Sequence, residues 1–146
     1  MPCGMDLGSR VVKIIDYREG EIHCMIGYDT AQFYRDFGRM DGTELAVSFE
    51  KLGLSPELTR LTVTGYGRNT VRVQGIRRIT ELKAHMIGAM HQSGLTDFTL
   101  LDIGGQDTKV IKVTGGQMDD FVMNDKCAAS SGRYVENMAR VLGLGL

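Results

Sequence analysis

The sequence has little proline and almost no net charge, and both features exclude whole classes of protein. Proline occurs twice in 146 residues, against 19 glycines. A disordered linker is rich in both residues, so this composition indicates tight turns between regular elements. Lys and Arg total 17, and Asp and Glu total 18. This balance gives no electrostatic reason to expect nucleic acid or an anionic membrane as a partner.

Long apolar segments and paired cysteines are also missing. No apolar run approaches the roughly 18 residues of a membrane-spanning helix, and the first residues lack the basic and apolar regions of a signal peptide. The cysteines are odd in number: Cys3, Cys24 and Cys127. We therefore expect a cytoplasmic protein whose thiols are free or bound to metal. A length of 146 residues fits a single domain over 1–146 with a buried core.

One stretch in the second half of the chain carries the clearest chemistry. A predicted strand ends in Asp102 and runs into Gly104 and Gly105. Two consecutive glycines let backbone N–H groups approach an anion with no Cβ in the way. Gln106 and Asp107 follow directly, so an amide and a carboxylate stand at the mouth of the turn. The pattern predicts a phosphate-binding turn.

The second feature of this stretch is Cys127, which four small residues and then a helical pattern follow. A thiol at the start of a helix faces the positive end of the helix dipole, which favours the thiolate and metal ligation. The alternative is a buried hydrophobic cysteine, but the preceding residues Asn124, Asp125 and Lys126 are too polar for a core strand. The turn and the cysteine together suggest nucleotide chemistry coupled to a metal centre.

The start of the chain contains a similar loop. A short predicted strand ends on Asp6, Gly8 and Ser9 form a turn, and a second strand returns antiparallel over 11–17. Either this loop holds a phosphate with Asp6 near its metal ion, or it is an ordinary hairpin with a polar turn. Taken alone the pattern favours the hairpin, because short Gly/Ser turns are common. Both loops, however, show Asp-x-Gly after an apolar strand, which strengthens the phosphate interpretation.

Hydrophobic periodicity predicts the remaining elements. Further strands are expected at 21–29, 60–64, 98–103, 107–113 and 118–123, and a polar loop over 29–42. Helices are expected to open at 41–43, with Leu45, Ala46, Phe49 and Leu52 on one face, and to span 79–93 and 131–142, the last with Val135, Met138, Ala139 and Leu142 inward. The order β-β-β-α-β-α-β-β-β-α predicts an α/β fold. Its mixed sheet would have three antiparallel first strands and helices on its faces.

Four motifs resemble the BadF/BadG/BcrA/BcrD ATPase family. They are Asp-Leu-Gly-Ser at 6–9, Thr-Gly-Tyr-Gly-Arg at 64–68, Asp-Ile-Gly-Gly-Gln-Asp-Thr-Lys at 102–109 and Met-Asn-Asp-Lys-Cys-Ala-Ala at 123–129. That family includes activators of 2-hydroxyacyl-CoA dehydratases and ATPase subunits of benzoyl-CoA reductases. The resemblance implies an actin-like ATPase (ribonuclease H-like) fold with two lobes around a nucleotide cleft. Residues 1–146 would form the N-terminal lobe, and the second lobe would be absent from this chain.

The resemblance also implies roles for individual residues. The first phosphate motif would comprise Asp6, Gly8, Ser9 and Lys13, and the second Asp102, Gly104, Gly105, Gln106 and Asp107. Both motifs would hold the phosphates of ATP. Asp6 and Asp102 would lie near Mg²⁺, and Gln106 would orient the attacking water.

By the same resemblance, Cys127 corresponds to a ligand of a 4Fe–4S cluster shared between two subunits, each of which gives two of the four thiolates. This implies a homodimer through the Cys127 region and an acyl-CoA dehydratase or reductase as electron acceptor. Neither Cys3 nor Cys24 stands where the partner cysteine is expected. Ser130-Ser131-Gly132 replaces the family's common Gly-Thr-Gly, a change that keeps small residues and hydroxyls.

Three functions follow as alternatives. The chain could be the ATP-binding lobe of an iron–sulfur ATPase that activates a dehydratase or reductase by ATP-driven single-electron transfer. It could instead be a cluster-free ATPase or kinase-like domain of the same fold, or a non-catalytic lobe that serves assembly. Cys127 at a helix start separates the first from the second, and the missing lobe favours the third for the isolated chain. We take the electron-transfer ATPase as the working hypothesis for the parent protein.

Overall fold

A computed structural model describes residues 2–42, 44–54, 60–69, 76–105, 107–124 and 131–145. The chain divides into two compact units, Met1–Thr80 and Glu81–Leu146. The sequence predicted one lobe over 1–146. That both units belong to one lobe of the ATPase fold stays a prediction.

Each unit contains its own sheet and helices. The first unit contains β1 (Pro2–Leu7), β2 (Val11–Arg18), β3 (Glu21–Asp29), α1 (Thr30–Phe37), β4 (Gly38–Asp41), β5 (Glu44–Val47), β6 (Arg60–Thr64), a 3-10 helix (Tyr66–Asn69) and β7 (Arg77–Arg78). The second unit contains α2 (Glu81–Ser93), β8 (Phe98–Ile103), β9 (Thr108–Thr114), β10 (Gln117–Met123) and α3 (Ser131–Val141). No helix within these described ranges is long and apolar enough to cross a membrane.

A five-stranded mixed sheet in the order β3-β2-β1-β6-β7 forms the first unit. The predicted antiparallel arrangement of β1, β2 and β3 is confirmed, whereas β1 and β6 pair in parallel. Alternate side chains of β1 are buried, and Met5 lies opposite Ile14 on one side and opposite Val63 on the other. Because the side-chain period of a strand is two, this pattern fixes one face of the sheet toward the core.

The prediction of a loop over 29–42 is wrong, because α1 begins directly after β3. Asp29 caps this helix: its Oδ1 accepts a hydrogen bond of 3.0 Å from the N–H of Gln32. Phe33 and Phe37 lie one helical turn apart with their ring centroids 5.6 Å from each other, and Phe33 is fully buried. Full burial of a phenylalanine contributes about 1.5–3 kcal/mol, so this aromatic spacing anchors the helix to the sheet.

The helix predicted to open at 41–43 is also wrong, since β4 and β5 form an antiparallel hairpin there. Asp41 ends the first strand, and Gly42 follows with a positive φ of 65°. Asp-Gly after a strand is typical of a hairpin turn, and here that local signal outweighs the helical spacing of the later apolar residues. Of those residues, Leu52 is buried in the core of the first unit.

The second unit follows the sequence prediction closely. Its strands form an antiparallel sheet in the order β10-β9-β8, and the strand limits differ from the predicted ones by at most one residue. Helix α2 ends where Gly94 takes a φ of 71° and donates a 2.9 Å hydrogen bond to the carbonyl of Met90. Met86 of α2 packs with Ile111 and Val113 of β9 in the core of this unit.

Helix α3 forms where it was predicted, but its inward face is largely wrong. Only Ala139 is buried; Val135, Met138 and Leu142 remain 38–69% exposed among the described residues. The apolar spacing predicts a helix because it follows the helical period. Burial of that face also requires another element to pack against it, and the spacing of the apolar residues does not show whether one does.

The buried thiol of Cys3 should make the stability of the first unit decrease at alkaline pH. Cys3 is 4% exposed on β1, opposite Asp16 of β2. Burial, and to a smaller extent the charge of Asp16, raises the pKa of Cys3 from 9.0 to about 11. A group whose pKa is higher in the folded state stabilises the fold below its unfolded pKa. That stabilisation is lost as the pH rises through the folded pKa.

We therefore expect Cys3 to lower the free energy of unfolding by about 2–3 kcal/mol as the pH rises from about 9 to about 11. Urea unfolding under reducing conditions at a series of pH values measures this decline. Cys3→Ala should be less stable at neutral pH, because it leaves a cavity, yet should show a shallower decline with pH. Equal declines in both proteins would contradict the assignment.

Candidate functional site

In the first unit, the turn between β1 and β2 collects the residues of the first predicted phosphate motif. Asp6 pairs with Lys13 across the hairpin, and its Oδ2 lies 3.9 Å from the Lys13 Nζ. Gly8 and Ser9 form the turn itself. The Oγ1 of Thr30 donates a 2.8 Å hydrogen bond to the Gly8 carbonyl, which ties the turn to the start of α1. The structure therefore brings all four predicted residues to one hairpin.

The end of β6 lies against this turn. Gly65 has a φ of 90°, and a Cβ there would stand 2.7 Å from the Asp6 Oδ1 and 2.5 Å from the backbone carbon of Leu7. A Cβ on Gly67 would stand 2.6 Å from the hydroxyl of Tyr34. Glycine is required at 65, where a Cβ would meet backbone atoms, whereas a Cβ at 67 would require the Tyr34 side chain to move. The loop places Asp6 at the carboxyl edge of two parallel strands, where α/β folds bind ligands.

In the second unit, the turn between β8 and β9 contains the second predicted phosphate motif. The N–H of Gly104 donates a 2.8 Å hydrogen bond to the carbonyl of Asp107. The N–H of Gly132, in the first turn of α3, donates a hydrogen bond of 3.1 Å to the carbonyl of Gly104. A Cβ on Gly132 would clash with that carbonyl. Gln106 and Cys127 lie outside the described residues, so their predicted roles stay predictions.

A cluster of ion pairs around one buried lysine lies beside this turn. Asp102 of β8 stands directly opposite Lys109 of β9, whose side chain is only 5% exposed. The Lys109 Nζ lies 2.6 Å from Asp107 Oδ1, 3.2 Å from Glu81 Oε2 and 3.4 Å from Asp102 Oδ2. Burial by itself lowers the pKa of Lys109. Hydrogen bonds and charges from Asp107 and Glu81 outweigh burial, and the pKa is raised above its usual value.

Helix α2 contributes two side chains to this cluster. Glu81 and His85 are four residues apart and therefore lie on the same side of the helix. His85 Nδ1 lies 3.8 Å from Asp102 Oδ1, while Glu81 contacts Lys109. Asp102 is thus approached by a strand lysine at one oxygen and by a helix histidine at the other.

The sequence reasoning missed this cluster. It assigned no role to Glu81, His85 or Lys109. Lys109 is the last residue of the 102–109 motif, and the strand alternation on both sides of the turn places it on the same face as Asp102. That register was available as a signal once both strands had been predicted.

Each unit separately places one carboxylate beside a glycine turn, and binding of magnesium by these carboxylates stays a prediction. Mg²⁺ is usually bound through one or two carboxylates and the oxygens of a substrate phosphate, with several waters retained. Asp102 and Asp6 each supply a carboxylate beside a glycine turn. Among the described residues, no group of three or more His, Cys, Asp or Glu is placed to hold a metal by itself. A protein-only metal cage is therefore not the kind of site that these residues form.

Comparison with solved structures defines the class of protein. The structure superimposes on component A of the (R)-2-hydroxyglutaryl-CoA dehydratase of Acidaminococcus fermentans with a TM-score of 0.71 and 32% identity, covering 99% of this chain and 54% of that chain. The ethanolamine utilization protein EutJ of Carboxydothermus hydrogenoformans superimposes with a TM-score of 0.51 at 12% identity, covering 98% and 57%. The fold is that of the actin-like ATPases, with a mixed sheet and helices, as predicted.

Sequence comparison identifies the family within this class. The model of the BadF/BadG/BcrA/BcrD ATPase family matches residues 4–146. In sequence alignment, the (R)-2-hydroxyglutaryl-CoA dehydratase activating ATPase of A. fermentans is 47% identical over 145 residues, covering 95% of this chain and 52% of the relative. The 2-hydroxyisocaproyl-CoA dehydratase activator of Clostridioides difficile is 41% identical over 142 residues, covering 95% and 51%.

The chain therefore belongs to the BadF/BadG/BcrA/BcrD ATPase family, and the predicted resemblance is confirmed. It spans about half the length of the curated relatives it matches.

The buried Lys109 cluster should be essential to the stability of the second unit. Lys109→Met removes the charge and keeps the length of the side chain, so three partly buried carboxylates lose their shared counter-ion. Loss of one partner of a buried ion pair costs about 3–5 kcal/mol. We expect a decrease of that order in the free energy of unfolding, measured with urea.

Lys112→Met on the same strand is the matched control. Lys112 pairs with Asp119 at 2.8 Å, but both side chains are about half exposed. An exposed ion pair contributes little to stability because water and salt screen it, so this variant should be nearly as stable as the parent. A similar decrease in the free energy of unfolding of the two variants would show that burial of Lys109 does not determine its contribution to stability.

Proposed function

We propose that the chain is the ATP-binding part of an iron–sulfur ATPase. The ATPase would activate a 2-hydroxyacyl-CoA dehydratase, or a benzoyl-CoA-type reductase, by ATP-driven single-electron transfer. The observation that carries the proposal is the turn at Gly104 and Gly105, with Asp102 and Asp107 beside it. The relatives named as dehydratase activators support a dehydratase as the partner, and one of them is named as an ATPase.

The turn suits a phosphate for steric and electrostatic reasons. The hydrogen bond from Gly104 to the carbonyl of Asp107 holds the backbone in a tight turn. A Cβ on Gly104 would lie 2.8 Å from Asp107 Oδ1, so a larger residue would displace that carboxylate. Glycine at 105 lets an anion approach the main chain closely. The similar hairpin of Gly8 and Ser9, with Lys13 beside it, is proposed as the other phosphate loop.

The carboxylates would hold the metal of a metal–nucleotide complex. Asp102 is the candidate in the second unit and Asp6 in the first. Bound Mg²⁺ would supply neutralisation of phosphate charge during transfer of the terminal phosphoryl group to water. Gln106 would orient that water, since phosphoryl transfer depends mainly on positioning and electrostatic stabilisation.

Electron transfer would depend on Cys127, which stands four residues before the start of α3. A 4Fe–4S cluster takes four thiolates, so a cluster shared across a homodimer needs two cysteines from each subunit. Cys127 would be one of them. The cluster would supply the low-potential electron, and the dehydratase or reductase would accept it.

Nucleotide binding is tested on the chain itself by NMR. Titration of ¹⁵N-labelled protein with Mg²⁺ and a non-hydrolysable ATP analogue should shift the amides of Gly104 and Gly105. Gly104→Ala should weaken these shifts because its Cβ crowds Asp107. Gly88→Ala is the control, because a Cβ there meets open space on α2. It should stabilise the helix by about 0.5–1 kcal/mol and leave binding unchanged. Equal binding by both variants would refute the proposed turn.

The iron–sulfur proposal is tested in the cluster-containing dimer, purified without oxygen. Cys127→Ser should abolish the broad visible absorption of the cluster and most of the bound iron, while the circular dichroism spectrum stays that of a folded protein. Cys24→Ser on β3 should retain both, because Cys24 is half-buried there and does not stand where the partner cysteine is expected. A Cys127 variant with a full iron complement would show that Cys127 is not a ligand of the cluster.

A further inference from the structure

The three carboxylates around Lys109 do not share its ammonium equally. Asp107 is the nearest, at 2.6 Å, Glu81 follows at 3.2 Å, and Asp102 is the farthest, at 3.4 Å. The ammonium has three N–H groups, which these three acceptors can engage together. Asp102 makes the longest of the three contacts although it is the residue directly opposite Lys109 across the β8–β9 pair.

Glu81 contacts the ammonium from a different element than the two aspartates do. It is the first residue of α2 and reaches Lys109 from the helix, whereas Asp102 and Asp107 reach it from the two strand ends. Met86 of the same helix packs on Ile111 of β9, so the position of α2 on the sheet is fixed by the core. The Glu81 carboxylate therefore contacts Lys109 from a helix whose position the core fixes.

We propose that Glu81 is a positioning residue that keeps Lys109 away from Asp102, so that Asp102 can bind a divalent cation at the glycine turn. An ammonium and a metal ion compete for the same carboxylate oxygens. With Glu81 and Asp107 making the shorter contacts to the ammonium, Asp102 retains only the longest of the three, at 3.4 Å, and a 3.8 Å contact to His85 Nδ1. This inference rests on the proposed function, because it assumes that Asp102 binds the metal of a metal–nucleotide complex.

The experiment measures metal binding directly, without ATP turnover. Mn²⁺ is added to the ¹⁵N-labelled chain in the presence of a non-hydrolysable ATP analogue, and paramagnetic broadening of the Gly104 and Gly105 amides is followed. Glu81→Gln preserves the shape of the side chain and removes its charge. We expect it to require about threefold more Mn²⁺ for half-maximal broadening, the effect expected of one partly exposed ion pair.

Three further variants separate positioning from a general effect of charge or structure. Asp119→Asn also removes one carboxylate from a lysine pair in the same sheet, at the exposed Lys112, and should leave the Mn²⁺ requirement unchanged. Glu81→Asp keeps the charge but shortens the reach, and should give an intermediate requirement. Lys109→Met removes the competing ammonium and should lower the requirement; if it does not fold, the two Glu81 variants still decide the question.

The outcomes distinguish this inference from the proposed function. Absence of broadening at Gly104 and Gly105 in the parent chain would overturn both. Broadening in the parent with an unchanged or lower Mn²⁺ requirement in Glu81→Gln would overturn only the role of Glu81. An equal shift in Asp119→Asn would do the same, since the effect would then reflect net charge alone.

Discussion

The second unit depends on a single buried positive charge. A lysine that is almost fully buried is tolerated only when its partners compensate for lost hydration, and Lys109 has three carboxylates within 3.4 Å. These partners come from a helix, a strand and a turn, so one ammonium fixes three parts of the unit together. Two of these carboxylates, Asp102 and Asp107, border the glycine turn, and the requirements of stability and of anion binding therefore meet at Lys109.

Close backbone approach is the other constraint, and it operates in both units. Gly65 lies against the end of β1, and Gly132 lies against the carbonyl of Gly104. In each case a glycine from a segment distant in sequence contacts the residues of a phosphate-type turn so closely that a Cβ on that glycine would clash. The turns are shaped by contacts from segments distant in sequence, which hold the backbone in the conformation that an anion would meet and reduce the cost of ordering it on binding.

The sequence reveals the parts of this fold that depend on local pattern. The hairpin at Asp6 and the turn at Gly104 were predictable from local pattern, and the family was predicted from the resemblance of four motifs. The loop assigned over 29–42 was wrong because an N-cap and a pair of aromatic residues decide that helix, and neither gives a long apolar repeat. The cluster of Lys109 depends on cross-strand register and on the placement of α2, which no single segment encodes.

The pairing of strands also differs between the units in a way that bears on how the chain folds. β8, β9 and β10 form a meander in which each strand pairs with its neighbour in sequence. The first sheet instead closes by joining β1 to β6, with Met5 opposite Val63. Contacts between distant residues carry a larger loop-closure cost and form more slowly. The second unit can therefore assemble from local hairpins, whereas the first must wait for a strand that leaves the ribosome much later than its partner.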